Sequence, residues 1–150
     1  MSGPLPGRRC GPTTLLPLYR YLDRLVAELP QADAFTLYAI RDWVVATRSG
    51  RRAQIILRGR FVARHLDSAL PSFLCSMTLV DQHGHGTMRF APSHYHSVAE
   101  DEARLLALFG VARADGAGLI RIATSLVSDD MASQLAGAAT QFGSALRLRT

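Results

Sequence analysis

The stretch from 128 to 146 carries the clearest helical pattern of the chain and reads SDDMASQLAGAATQFGSAL. Its apolar residues recur every three or four positions, which places them on one side of an α-helix. Ser128 is a suitable N-cap, and the acidic pair that follows it suits the positive end of a helix. We expect Gly137 and Gly143 to allow close contact with another helix. The predicted buried side comprises Met131, Leu135, Ala138, Ala139, Phe142 and Leu146.

The same spacing predicts four helices in the N-terminal half of the chain. Pro30 ends the first of them, and Asp33 is expected to cap the second. Aromatic residues are expected to pack between these two helices: Tyr19, Tyr21, Phe35, Tyr38 and Trp43. The predicted helices cover 15–29, 33–48, 52–65 and 67–80.

Two further helices are predicted before the last one. Ser97 and Glu100 have the spacing of a capping box and predict a helix start. A turn at 115–116 separates that helix from an apolar helical stretch over 119–127. Helices of this length with short connections predict an all-α protein, a compact bundle of six or seven helices.

The helical pattern is interrupted once, around residues 81–97. Glycines and Pro92 predict an irregular or short extended segment there. This His-rich loop is expected to join helical halves over about 13–80 and 97–148. Each half is too small for a thick core of its own, so 13–150 is predicted to be a single domain after a flexible leader at 1–12.

Composition narrows the class of protein and of partner. All 17 basic residues are arginine, and the formal net charge of +5 favours an acidic partner. Cys10 and Cys75 form no framework and predict reduced thiols in a cytoplasmic protein. The longest uncharged stretch after the leader, 68–80, is too short to span a bilayer, so no membrane partner is expected.

Arginines are concentrated at the end of the second predicted helix and along the third, where no acid occurs between Asp42 and Asp67. We interpret this cluster as the contact surface for a protein partner with an acidic surface. Nucleic acid is an alternative partner, although no reader motif accompanies the cluster. The cations could also pair with acids elsewhere in the chain, such as Glu100 to Glu102. The cluster consists of Arg48, Arg51, Arg52, Arg58, Arg60 and Arg64.

Four histidines lie in the interrupted segment: His83, His85, His94 and His96. On an extended strand, side chains two residues apart lie on the same face, so each pair of histidines would share one face. A hairpin pairing His85 with His94 would also pair His83 with His96 and bring four imidazoles together. Imidazole suits zinc, copper or nickel, so this segment is a candidate metal site. Arg89 and Phe90 form a poor hairpin turn, and chance histidines on a loop are the alternative.

No catalytic constellation is evident in the sequence. Ser72 and Cys75 lie near His65 in the chain, but their flanks lack a nucleophile signature. Without lysine no phosphate-binding P-loop can be completed. The sequence therefore favours a small, non-catalytic interaction or regulatory protein, with metal binding and nucleic-acid binding as alternatives.

Overall fold

The computed structural model describes residues 15–149 of the chain; the predicted leader at 1–12 and Cys10 lie outside this range. The described residues form seven α-helices and no strand, which confirms the all-α bundle. Short 3-10 helices occupy Val26–Glu28 and Asp67–Ala69. The α-helices are α1 (Leu15–Tyr21), α2 (Gln31–Arg48), α3 (Ala53–Ala63), α4 (Leu70–His83), α5 (Glu100–Arg113), α6 (Leu119–Leu126) and α7 (Asp129–Arg149).

The core is organised around phenylalanine rings from five helices. Phe142 of α7 lies 5.3 Å from Phe73 of α4 and 5.1 Å from Phe109 of α5, measured between ring centroids. Phe61 of α3 lies 4.9 Å from Phe35 of α2 in an edge-to-face arrangement. These separations are those that aromatic pairs prefer. Residues from before and after the interrupted segment therefore contribute to one cluster of buried side chains.

A glycine lets α7 approach α5 at the level of the backbone. A Cβ atom on Gly143 would lie 2.9 Å from the backbone nitrogen and Cα of Arg113, so no other residue fits without movement. This confirms the close contact predicted at Gly143. The same prediction is wrong at Gly137, where a Cβ atom would meet nothing within 4 Å.

Helix boundaries at the N-terminal end differ from the sequence prediction. The first helix ends at Tyr21 rather than at residue 29, because Asp23 adopts a left-handed conformation with φ of 60°. Asp33 does not cap α2; Pro30 occupies the N-cap position, and the side chain of Asp33 is buried in the first turn. The predicted aromatic packing between the first two helices is wrong, because α1 packs mainly against α5. Tyr19 and Tyr38 are exposed, and Phe35 packs against Phe61 of α3.

The start of α5 and the end of α4 also shift. Ala99, not Ser97, precedes α5, and its N–H donates to Oε1 of Glu102 at 3.0 Å. The fourth helix continues to His83, whose carbonyl accepts a hydrogen bond from the N–H of Ser128 at 3.0 Å. The residues from 84 to 99 are irregular, as predicted. Among the helices of residues 15–149, none is both long and apolar enough to cross a bilayer.

Candidate functional site

Four of the six clustered arginines are exposed and are together called here the arginine surface: Arg48, Arg51, Arg52 and Arg58. Arg48 is the last residue of α2, the next two lie in the connection to α3, and Arg58 lies in the middle of α3. All four are exposed. Within the described chain none of them forms an ion pair. Their charges are therefore available to an external partner.

The other two clustered arginines are engaged within the protein. The Nε atom of Arg60 lies 2.6 Å from Oδ2 of Asp42, and its guanidinium lies 5.3 Å from the ring centroid of Tyr38. Arg64 lies over the ring of Phe35 at 5.6 Å. Both distances are within the range of cation–π attraction. Of the six arginines predicted to contact a partner, Arg60 and Arg64 therefore have contacts within the protein.

Exposed apolar side chains are interleaved with the arginine surface. Ile55 is 66% exposed, Val62 50% and Ile56 37%, and all three lie on α3. The buried side of α3 consists of Leu57 and Phe61, which face α2 and α4. Protein–protein contact surfaces combine apolar and arginine side chains in this way.

Two cavities lie beside the arginine surface. The α3–α4 cavity holds about 490 Å³, and the Trp43 cavity, between α2, the end of α4 and the loop at 84–90, holds about 450 Å³. The first is lined by Gln54, Arg58, Val62, Asp67, Leu70, Pro71 and Leu74. The lining of the second includes Trp43, Val44, Arg48, Met77, Val80, Asp81, Met88 and Phe90.

A buried ion pair joins α2 to α5 on another side of the protein. Arg41 is 1% exposed and Glu102 is fully buried. The Nε and Nη2 atoms of Arg41 each donate to a different carboxylate oxygen of Glu102 at 2.9 Å. Such a two-pronged contact is the strongest geometry available to an arginine and a carboxylate. It offsets the large cost of removing both charges from water.

The same pair holds the irregular segment in place. Arg41 donates from Nη1 to the carbonyl of Tyr95 and from Nη2 to that of Ser97, both at 2.9 Å. Glu102 accepts from the N–H of Ala91 at 3.1 Å. Sequence reasoning missed this role, since it assigned Glu102 to the charged start of α5. The signal in the sequence was the position of Arg41, which lies four residues after Leu37 and three before Val44 and so shares their apolar face of α2.

The four histidines are not brought together as a metal site. The described residues contain no group of three or more His, Cys, Asp or Glu side chains placed to share an ion. The ring of His85 contacts the carbonyl of Thr124 at 2.9 Å, whereas the carbonyl of His96 accepts from the N–H of Val26 at 2.8 Å. The hairpin that a four-histidine site would require is not formed, because Gly84 pairs with Val127 and Ser97 pairs with Leu25 instead. The four histidine rings therefore do not form a four-nitrogen site.

A second buried carboxylate lies where α1, α2 and α5 meet. Oδ1 of Asp33 accepts from the hydroxyl of Tyr21 at 3.2 Å and from Nη1 of Arg113 at 3.1 Å. Burial, aided by the negative charge of Asp33, raises the pKa of Tyr21 from 10.0 to about 12. Oδ2 of Asp33 is buried without a hydrogen-bond partner. These contacts position helices and involve none of the arginine surface.

Comparison of the chain with protein-family models, with curated proteins and with solved structures gave no match.

Proposed function

We propose that the protein is a non-catalytic interaction protein that binds an acidic protein partner through the arginine surface. The observation that carries this proposal is the combination of four exposed, unpaired arginines with three exposed apolar side chains on α3. Guanidinium groups pair with carboxylates in a two-pronged geometry, and apolar neighbours exclude water from such contacts. We further propose a cytoplasmic setting, because the exposed free thiol of Cys75 suits a reducing compartment.

The apolar residues favour a protein over a nucleic acid. Surfaces that bind nucleic acid contact mainly phosphate and sugar, and they are more polar than protein–protein surfaces. Ile55 and Val62 offer nothing to a phosphate. In a protein contact, the same residues lose exposed apolar area, which stabilises the complex.

The test uses 16-residue peptides selected by phage display on the wild-type protein and then measured by calorimetry. Selected peptides should be enriched in Asp and Glu. A variant with Arg48, Arg51, Arg52 and Arg58 all changed to Ser should bind them at least about tenfold more weakly, since four partly solvated pairs are lost. The matched control changes four exposed arginines elsewhere to Ser and should stay within about twofold: Arg20, Arg24, Arg121 and Arg147.

Two results would contradict the proposal. One is a set of peptides without acidic enrichment, or with equal affinity for both variants. The other is binding of a 20-base-pair DNA or RNA duplex more tightly than any peptide, with a log–log salt slope of about −3 to −4, as four phosphate contacts predict. That second result would assign the arginine surface to nucleic acid.

A further inference from the structure

The two cavities lie end to end along one side of α4. Leu70 and Leu74 line the α3–α4 cavity, and Met77 and Asp81 line the Trp43 cavity. These four residues follow one another at intervals of three or four, which puts them on a single face of the helix. The two cavities therefore follow one another along this face of α4 and are together called here the α4 groove. Its length from Leu70 to Gly84 is about 21 Å at the helical rise of 1.5 Å per residue.

The Trp43 cavity has enough space and apolar lining for bulky apolar groups. The Trp43 cavity, at about 450 Å³, has roughly three times the volume of a cavity that holds one benzene ring. Its apolar lining includes Trp43, Met77, Met88 and Phe90. Methionine side chains are unbranched and adapt to differently shaped ligands. There is room for more than one large side chain from a partner.

The lining of the groove has two arginines near its middle and one aspartate toward each end. Arg58 lines the α3–α4 cavity and Arg48 lines the Trp43 cavity, so positive charge flanks the middle of the groove. Asp67 precedes the start of α4, and Asp81 lies near its end. A complementary ligand carries carboxylates in its central turns and apolar side chains that face the groove.

We propose that the groove along α4 binds an acidic amphipathic helix of about 14 residues, whose apolar anchor enters the Trp43 cavity. This inference rests on the proposed function and names the form of the partner. A helix of that length spans the groove, and its apolar residues at i, i+4, i+7 and i+11 match the spacing of the α4 face.

Other occupants complement the groove less well. Residues 1–14 of this chain contain Arg8 and Arg9 and no acid, so they repel the arginine surface. A second copy of the protein would bring a second arginine surface of the same sign. An acidic helix from another protein carries charge opposite to that of the arginine surface and is therefore attracted to it.

The experiment compares two phage-display libraries of 16-residue peptides. One has apolar residues fixed at i, i+4, i+7 and i+11, and the other has them at alternate positions. Only the first should yield acidic binders. Each apolar residue of the best peptide is then replaced in turn by 4-iodophenylalanine. The anchor should quench the fluorescence of Trp43, the only tryptophan in the chain, because heavy-atom quenching requires contact.

A pair of glycine variants tests the cavity from the protein side. Gly86 lines the Trp43 cavity, and Gly137 lies on α7; a Cβ atom at either position meets nothing within 4 Å. Gly86→Leu should weaken binding at least about tenfold, because its side chain occupies the place of the anchor. Gly137→Leu should leave the affinity unchanged. Circular dichroism and thermal melting check that both variants fold.

The outcomes separate this inference from the proposed function. A peptide that needs the four arginines, yet neither quenches Trp43 nor responds to Gly86→Leu, would overturn the groove and leave the proposed function standing. Binders from the alternating library alone would exclude a helical partner. Binding that ignores the arginine variant, or no binder from either library, would overturn both. A wild-type dimer that Gly86→Leu converts to monomer would assign the groove to a second copy and overturn the inference.

Discussion

Arg41 and Arg58 lie on consecutive helices and carry the same guanidinium group, but their surroundings differ completely. Arg41 is buried and contacts Glu102 and the carbonyls of Tyr95 and Ser97. Arg58 is exposed, lines a cavity and has no acidic partner within residues 15–149. A buried guanidinium without such partners would cost several kcal/mol, whereas an exposed one remains hydrated. The comparison shows that tertiary neighbours, not residue type, decide whether an arginine supports the fold or stays exposed to solvent.

The largest expected effect comes from breaking the buried pair. Arg41→Ala leaves the carboxylate of Glu102 buried without its cation, and should lower the free energy of unfolding by about 3–5 kcal/mol. Arg58→Ala, at an exposed position, should change it by less than about 0.5 kcal/mol. Urea denaturation followed by circular dichroism measures both. Equal effects of the two substitutions would show that the distinction between the two regions is wrong.

A second pair of variants tests the close packing of α7 against α5, which holds part of the buried region in place. Gly143→Ala places a methyl group against the backbone of Arg113, which also pairs with Asp33, and should cost about 1–3 kcal/mol. Gly137→Ala meets no neighbour and should add up to about 1 kcal/mol, because alanine favours the helix. Thermal melting distinguishes the two signs. A stabilising Gly143→Ala would mean that the helices separate easily there.

The buried contact between Tyr21 and Asp33 should make the stability of the protein depend on pH in the alkaline range. Its pKa is raised from 10.0 to about 12 by burial, so the folded state favours the neutral phenol. This contribution is fully present below pH 10 and is lost as the pH rises through 12. Wild-type stability should therefore fall across that window by on the order of 2 kcal/mol more than that of Tyr21→Phe. Urea denaturation at pH 9 and pH 11.5 provides the comparison; parallel losses in the two proteins would contradict it.

The smallest effect on the free energy of unfolding is expected at Arg60, which is less buried than Arg41 and less exposed than Arg58. Its contact with Asp42 is short, but both side chains are partly solvated. Arg60→Gln should cost about 0.5 kcal/mol at low salt, and the difference from wild type should shrink in 1 M NaCl. Arg58→Gln serves as the control with no ion pair within residues 15–149. A larger, salt-independent loss at Arg60 would place it with Arg41 among the arginines that hold the fold.

Local patterns predicted a large part of the fold. The three-to-four spacing located the helices of the bundle, since that spacing directly reflects the side of a helix that is buried. The turn residues of 81–97 identified the irregular segment, and Gly143 was expected to be a close contact. The end of the first helix was missed, because a left-handed Asp23 leaves no mark on an otherwise continuous leucine pattern.

The candidate site was predicted in part. The cluster from Arg48 to Arg64 is evident in the sequence because its members are neighbours in the chain. The sequence does not show which of these arginines contact other residues of the protein. Asp42 and Tyr38 contact Arg60 only because α2 and α3 pack together. The histidine spacing was misleading for the same reason. Histidines that are close in the sequence contact different parts of the fold: the ring of His85 contacts Thr124, and the carbonyl of His96 contacts Val26.

The amino-acid sequence by itself determined the helical architecture and the excess of arginine, because both follow from short-range periodicity and composition. Only the tertiary structure decided the pairing of Arg41 with Glu102, which lie 61 positions apart, and the alignment of two cavities along α4. Contacts of that kind depend on how helices pack. Since packing is set by the whole core at once, no single stretch of the chain encodes it.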